Sequence, residues 1–427
     1  MSKAYQDIFN YASVTDDCIK CGKCIPVCTI YKVNTDEVTS PRGFLDLLGA
    51  YQRGDLDLDK NAKDIFESCF LCTNCVDVCP KSLPTDMVIE QVRSDIAQKF
   101  GIAWYKRVYF LLVRYRWLND LAFKLGWMFQ SCGFKIKDDI NSMHLRFSTP
   151  LLKADRLLPS LTKKSFLNSH PENINNGGKR KVAIFIGCFS NYNYKGVGDS
   201  LLEILEHLEI DAFLAKDQKC CAAPAYFTGD FATVDKNAKF NLEYFESFAK
   251  DVEAIIIPEA TCSAMLKIDY VHFFHDQPEW KARALAMQDK IFLATEWLHD
   301  YTDLDQLLAS KKKSTKVVTY HDPCHARKLQ GVYKEPRNLI SKNYKIVEMS
   351  DPNACCGFGG VTMQTEKYRF SKAAGIPKAV MIKDTEADIV SAECSACRMQ
   401  VNASMNYAEV KTVFKNPIEL IADALRA

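Results

Sequence analysis

Two runs near the start of the chain set cysteines at a spacing that suits metal ligation: Cys18-x2-Cys21-x2-Cys24-x3-Cys28 and Cys69-x2-Cys72-x2-Cys75-x3-Cys79-Pro80. In such a run three thiolates in one short loop cap three irons of a cubane 4Fe–4S cluster, and the fourth reaches across to a second cluster. The spacing predicts one cubane on Cys18, Cys21, Cys24 and Cys79, and another on Cys69, Cys72, Cys75 and Cys28. Zinc would explain paired Cys-x2-Cys units but not a third and fourth cysteine at fixed spacing. Thr29 follows Cys28 where Pro80 follows Cys79; a proline there marks the loop exit and is not a ligand.

Nine more cysteines mark a repeat. Residues 181–188 parallel 316–324, Cys220-Cys221 parallels Cys355-Cys356, and Cys262-Ser263-Ala264-Met265 parallels Cys394-Ser395-Ala396-Cys397. The offsets of 136, 135 and 132 define a unit of about 135 residues that occurs twice. Adjacent cysteines rarely both reach one tetrahedral zinc without strain, and suit a multi-iron cluster with bridging positions better. The second unit offers Cys324, Cys355, Cys356, Cys394 and Cys397, more than a cubane needs. In the first, Met265 replaces the fifth, leaving Cys188, Cys220, Cys221 and Cys262, which suffice for a 4Fe–4S cubane or for structural zinc.

These side chains need elements to hold them. Phe44, Leu47, Leu48 and Tyr51 share one helix face, so residues 1–100 read as a small helical domain carrying both four-cysteine runs. Residues 101–178 form an aromatic, basic, amphipathic segment that thins into a polar, Gly-ended linker at 173–178. The repeated units span 179–310 and 314–427, with Lys311-Lys312-Lys313-Ser314 between them. In each unit apolar runs of strand length (182–186, 252–258; 317–320, 387–391) alternate with helical spacing such as Leu201, Leu202, Leu205 and Leu208, which predicts parallel α/β layers. Cysteines fall just past strand ends, on the carboxyl edge where open α/β sheets bind ligands. The expected fold is therefore multidomain: an N-terminal helical two-cluster ferredoxin followed by tandem α/β, Rossmann-like, cysteine-rich domains.

Composition narrows the function. Of eighteen cysteines in 427 residues only Cys132 stands alone, expected as a buried free thiol. The opening Met1-Ser2-Lys3-Ala4-Tyr5-Gln6-Asp7 has no apolar stretch behind a basic start, so a cytoplasmic, reducing setting is expected, with metal rather than disulfides. A net charge of +2 gives no general case for nucleic acid. Residues 102–134 are broken by Lys106, Arg107, Arg114, Arg116, Asp120 and Lys124, too often for a spanning helix. Their Trp104, Tyr105, Tyr109, Phe110, Tyr115, Trp117, Trp127 and Phe129 suit either a helix lying on a membrane or one packed against protein. Gly196-Val197-Gly198 and Gly357-Phe358-Gly359-Gly360 lack a dinucleotide fingerprint, so flavin and NAD are expected on another chain. His321 and His325 flank Cys324, as donors to sulfur, proton carriers or plain surface groups.

The unit of Cys, Cys-Cys and Cys-x2-Cys resembles the cysteine-rich "CCG" domain of heterodisulfide reductases. Ferredoxin plus two such domains is similar to the iron–sulfur subunit of anaerobic glycerol-3-phosphate dehydrogenase, and to the glycolate oxidase iron–sulfur subunit and lactate-utilisation proteins. Residues 185–194 and Glu393-Cys394-Ser395-Ala396-Cys397 lean to the first, Ser40-Pro41-Arg42-Gly43 to the second. The resemblance implies an electron-transfer subunit, with no flavin of its own, that relays electrons from an FAD-containing dehydrogenase subunit (glycerol-3-phosphate, glycolate or lactate type) to menaquinone, peripheral on the inner face of the cytoplasmic membrane. It also implies a non-cubane 4Fe–4S cluster in the second unit. Ala222 stands where the family has glycine after the cysteine pair. The alternative it implies is a disulfide reductase acting at the second unit.

Overall fold

The computed structural model describes residues 11–149 and 154–427. Residues 1–10 of the expected helical domain and 150–153 of the segment after it lie outside those residues.

Beside the ligand loops the helices are short, Thr29–Asn34 starting directly after Cys28 and Asn74–Asp77 lying between Cys72 and Cys79, while Pro41–Gln52 and Thr85–Phe100 run 12 and 16 residues. Helix Pro41–Gln52 starts with Ser40 Oγ accepting from the Gly43 N–H at 3.2 Å and Pro41 in its first turn. It buries Phe44 and Leu48, with Leu47 and Tyr51 half-buried, against Ile30, Phe66, Ile89 and Val92. Helix Thr85–Phe100 is the spine between this core and the repeated units. Its Arg93, 3% exposed, donates to the carbonyls of Phe66 (3.2 Å), Cys69 (2.7 Å) and Phe227 (2.9 Å).

The next segment forms helices Trp104–Arg114 and Arg116–Gly133, then an antiparallel sheet of β1 (Phe134–Lys137), β2 (Ser142–Leu145) and β3 (Leu158–Pro159). That sheet is a departure from the sequence reading. The expected linker also contributes β4 (Asn173–Ile174), because its backbone pairs antiparallel with the edge of the first large sheet.

That sheet has the order β4, β6 (Ile210–Leu214), β5 (Arg180–Ile184), β7 (Ile255–Ile257), β8 (Ile291–Leu293), parallel except for β4. The second, all parallel, has the order β10 (Lys345–Ile346), β9 (Val317–Tyr320), β11 (Ile389–Ser391), β12 (Val413–Lys415). Alternation along β5 is clean. Val182 and Ile184 face a core shared with Tyr320, Leu339 and Ile421 of the second unit, while Ala183 and Phe185 face Leu242, Phe245 and Ile257. The two units thus share one core, and the C-terminal helix Pro417–Arg426 packs on Lys195–His207 of the first.

Candidate iron–sulfur sites

The ligand loops curl by the same backbone device. Lys20 and Gly22 lie at φ +53° and +74°, and Leu71 and Thr73, at the matching positions, at +52° and +56°. Left-handed residues alternating with right-handed or extended ones turn N–H groups inward, toward an anionic centre; the Leu71 N–H reaches Cys69 Sγ at 3.4 Å. One small cavity is lined by Cys18, Cys21, Cys24, Cys75 and Cys79 with Arg42 and Pro80, and the next by Cys28, Cys69, Cys72 and Cys75. Cys75 borders both. Arg42 also donates to the Lys20 carbonyl at 3.2 Å, which gives the Ser-Pro-Arg-Gly run its part: a capped helix that leans on the first loop.

In the first repeated unit Cys188 Sγ lies 3.1 Å from Cys220 Sγ, and Cys221 Sγ 3.3 Å from Cys262 Sγ. Gly187 permits this approach, since a Cβ there would sit 3.0 Å from Cys262 Sγ. Tyr109, from the helix Trp104–Arg114, packs with Cys220 against the core that holds Cys221 and Cys262, and its hydroxyl is pushed well up by burial and then by the sulfurs of the first unit. The Tyr270 hydroxyl donates to the Cys221 carbonyl at 3.1 Å.

In the second unit Cys324, Cys355, Cys356, Cys394 and Cys397 line one cavity. Phe70 and Leu71 from the helical region and Phe227 and Thr261 from the first unit wall it. The Gly357 N–H donates to Cys355 Sγ at 3.3 Å, repeating the contact at Cys69. His325 Nδ1 lies 3.2 Å from Cys324 Sγ. His321 is buried, not superficial, and burial followed by the Lys378 charge holds its imidazole down at about 3.

The donor chemistry tests whether these groups suit iron. All eighteen cysteines are free thiols, and burial pushes Cys28, Cys69 and Cys324 up to about 12. Cys356 and Cys394 move down, the first through hydrogen bonds with Cys355 and Cys397, the second through one with Cys397. So many sulfurs in contact cannot all be thiolates without cations among them, and cations are what an iron–sulfur core supplies. The residues fit the group.

Residues 182–267 and 318–402 each match the CCG cysteine-rich domain family, and residues 14–83 match the 4Fe-4S dicluster domain family. The chain is 28% identical over 397 residues to the probable glycolate oxidase iron-sulfur subunit of Bacillus subtilis, covering 90% of this chain and 88% of that one. It is 32% identical over 217 residues to lactate utilization protein A of Geobacillus kaustophilus, covering 50% of this chain and 87% of that protein. The chain belongs to the ferredoxin–CCG iron–sulfur family. A crystal structure of a hypothetical protein from Helicobacter pylori shares the fold, with a TM-score of 0.52 at 11% identity over 95% of this chain and 71% of that one.

Three local features of this ferredoxin–CCG chain follow from its geometry. Thr29, in the place of a proline, has its hydroxyl 3.3 Å from Cys72 Sγ. Ala222 holds φ +69°, matching Gly357 at +88°, so the family glycine answers a left-handed backbone that alanine occupies here with strain. Cys132 is exposed, against the expected buried thiol, because the helix Arg116–Gly133 turns that face outward.

The sites also touch one another. Phe70 and Leu71, between Cys69 and Cys72, line the same cavity as Cys355, and Lys328 donates to the Cys72 carbonyl at 2.9 Å. Thr261, next to Cys262, lies 3.5 Å from Cys394 Sγ. The helical region touches both units, but its cysteines border those of the second unit, and the second unit's Cys394 borders the first unit's Thr261. Sequence spacing could not reveal this order or the cover by Tyr109, since docking surfaces leave no periodic signal.

Proposed function

We propose that this chain is the electron-transfer subunit of a flavin-linked dehydrogenase of the glycolate, lactate or glycerol-3-phosphate type, relaying electrons from an FAD-containing partner subunit toward menaquinone at the membrane. The single observation that carries the reading is the closeness of the cysteine sites: Phe70 and Leu71, between Cys69 and Cys72, wall the five-cysteine cavity, and Thr261, next to Cys262, lies 3.5 Å from Cys394 Sγ. When bound, two cubane 4Fe–4S clusters in the helical region, a non-cubane 4Fe–4S cluster in the second unit and a 4Fe–4S cluster or zinc in the first would supply one-electron chemistry and structure. Cys18, Cys21, Cys24 and Cys79 hold the first cubane; Cys28, Cys69, Cys72 and Cys75 hold the second. The chain's part is to fix thiolates, donate N–H and O–H groups to sulfur, and exclude water. Phe70, Leu71, Phe227 and Phe358 close round the five-cysteine cavity, which favours conduction over entry of a disulfide substrate. Replacing Cys72 with serine is expected to abolish quinone reduction by the assembled complex while dye reduction at the flavoprotein persists; unchanged quinone reduction would refute the relay.

The docking face for the membrane is the outside of the helices Trp104–Arg114 and Arg116–Gly133. Their inner sides are occupied: Phe110 and Val113 are buried, Phe123 stacks on Tyr192, and Tyr109 covers the first unit's sulfurs. Their outer sides expose Trp104 (72%), Trp117 (66%), Phe129 (62%), Val108, Leu121 and Met128, with Arg107 and Lys124 exposed among them. Residues 101–137 carry seven cations and one acid, Asp120, which accepts from the Tyr192 hydroxyl at 2.6 Å. Aromatic and aliphatic side chains edged by cations suit the headgroup region of an anionic bilayer. No helix among the described residues is long and apolar enough to cross a membrane. Sedimentation with phosphatidylglycerol vesicles, lost in a Trp104→Ala/Trp117→Ala variant, is the expected result; retention by that variant would place the docking elsewhere.

A further inference from the structure

The second unit buries an imidazole that the thiols do not account for. His321 lies one residue past β9 and is 1% exposed, its main-chain N–H bonded to the Ser391 carbonyl at 2.9 Å at the matching end of β11. Its Nδ1 is 3.2 Å from the carbonyl oxygen of Pro352. A carbonyl only accepts, so Nδ1 carries the hydrogen, and in the neutral ring Nε2 then carries a lone pair. That nitrogen is buried and without a hydrogen-bond partner. A ring nitrogen of His321 and the sulfurs of Cys356 and Cys397 all lie within 4.8 Å of one another, and Nε2 is the one not committed to Pro352.

The surroundings favour the neutral ring. Lys378 already brings an ammonium to this spot, donating to the Asp351 carbonyl at 2.7 Å and the Pro352 carbonyl at 3.4 Å. The neighbouring Asp322 carboxylate is matched by Arg327 and Arg337, leaving it no charge to balance an imidazolium. A buried lone pair among sulfurs that have lost their protons to metal finds nothing to accept from, and a cation is the partner that satisfies it. An imidazole whose other nitrogen donates to a main-chain carbonyl has the usual arrangement of a metal-bound histidine. The internal repeat agrees. In the first unit Phe185 occupies the position of His321, and Met265 that of Cys397, so both extra donors are missing together from the site with four cysteines.

We propose that His321 Nε2 is a direct iron ligand of the cluster held by Cys324, Cys355, Cys356, Cys394 and Cys397. The bond is dative: the Nε2 lone pair enters an open position on iron, no proton moves and no oxidation state changes. It rests on the reading that these cysteines hold iron.

The test uses the full chain, reconstituted anaerobically, with pulsed EPR at a potential where the second-unit site is paramagnetic. Natural-abundance protein is compared with protein labelled with 15N-histidine, so folding of a variant is not at issue. The expected result is a coordinated-nitrogen coupling that changes with the label, survives in His325→Ala and is lost in His321→Ala. In the latter, chelator-driven iron release from the second unit should be at least roughly tenfold faster. Iron bound by the second unit with no label-sensitive coupling, or with only the weak coupling of a hydrogen-bonded ring, would overturn the assignment of His321 alone. A second unit without iron would overturn the cluster reading beneath it as well.

Discussion

Ala222 and Gly357 occupy matching positions after the cysteine pairs, and exchanging their residue types separates backbone strain from crowding. For Gly357→Ala, a Cβ at φ +88° would lie 2.9 Å from the Gly375 nitrogen and 3.0 Å from the Ser371 carbonyl oxygen. Both are main-chain atoms of the helix Tyr368–Lys383 and cannot swing aside. The left-handed conformation costs about 1–2 kcal/mol and the overpacking about 1–3 kcal/mol, against a gain of about 0.4–1 kcal/mol from a less flexible unfolded chain. The net is a loss centred on about 3 kcal/mol, within about 1–5 kcal/mol. For Ala222→Gly, relief of about 1–2 kcal/mol of strain is offset by about 0.5–1 kcal/mol of added chain entropy and about 0.8 kcal/mol for a buried methyl. That balance lies near zero. Scanning calorimetry of the anaerobically reconstituted chain should show the Gly357→Ala midpoint lower by roughly 5–10 °C and that of Ala222→Gly little moved. Shifts of equal size and opposite sign would refute the reasoning, since backbone conformation alone would then set the cost and the contact with the helix would count for nothing.

Thr29→Val should lower the potential of the adjacent ferredoxin site by about 20–60 mV in an EPR-monitored titration, the worth of one hydrogen bond to sulfur that favours the more negative state. Asp269 is buried, one carboxylate oxygen lacks a partner, and burial first, then Asp86, raises its folded value to about 7 against an unfolded value near 4. Its contribution to stability is full below about pH 4 and lost as pH rises through 7. Asp269→Asn should therefore gain on the wild type in thermal midpoint between pH 5 and 8, and an advantage that shrinks toward pH 8 would contradict the sign. Arg93→Met leaves three carbonyls without their shared donor; a loss of about 2–4 kcal/mol is expected, read by denaturant titration, with faster amide exchange around residues 66–69 and 227.

Much of the site was legible because cysteine spacing is short-range information. The runs at 18–28 and 69–79 dictate loops whose geometry is local, and the strands at 182–186 and 317–320 announce themselves by uninterrupted apolar residues. Helix and strand existence within the repeats followed from period, although the observed β7 and β11 are shorter than the apolar runs at 252–258 and 387–391. What stayed hidden depends on faces meeting. Tyr109 reads as one aromatic among ten between residues 102 and 134, and only packing turns it toward sulfur. The hairpin from Phe134 to Leu145 does alternate, Phe134 and Ile136 with Lys135 and Lys137, then Met143 and Leu145 with Ser142 and His144, but each run is only four residues long, the shortest that period two can mark. The docking of the helical region on the second unit rests on Met363 and Ala374 entering the core round Phe66 and Phe70 and on lysine contacts such as Lys367 Nζ to Asp64 Oδ1 at 2.6 Å, which no pattern announces.

The wall round the five-cysteine cavity is contributed by three separate stretches: Phe70 and Leu71, then Phe227 and Thr261, then the second unit's own Phe358. A chamber closed by distant parts of one polypeptide imposes a timetable on maturation. Any cluster that these cysteines hold would have to enter while the second unit still stands open, before Phe70, Leu71 and Phe227 settle over it. Assembly factors would thus have to reach this lobe before the protein completes its own collapse.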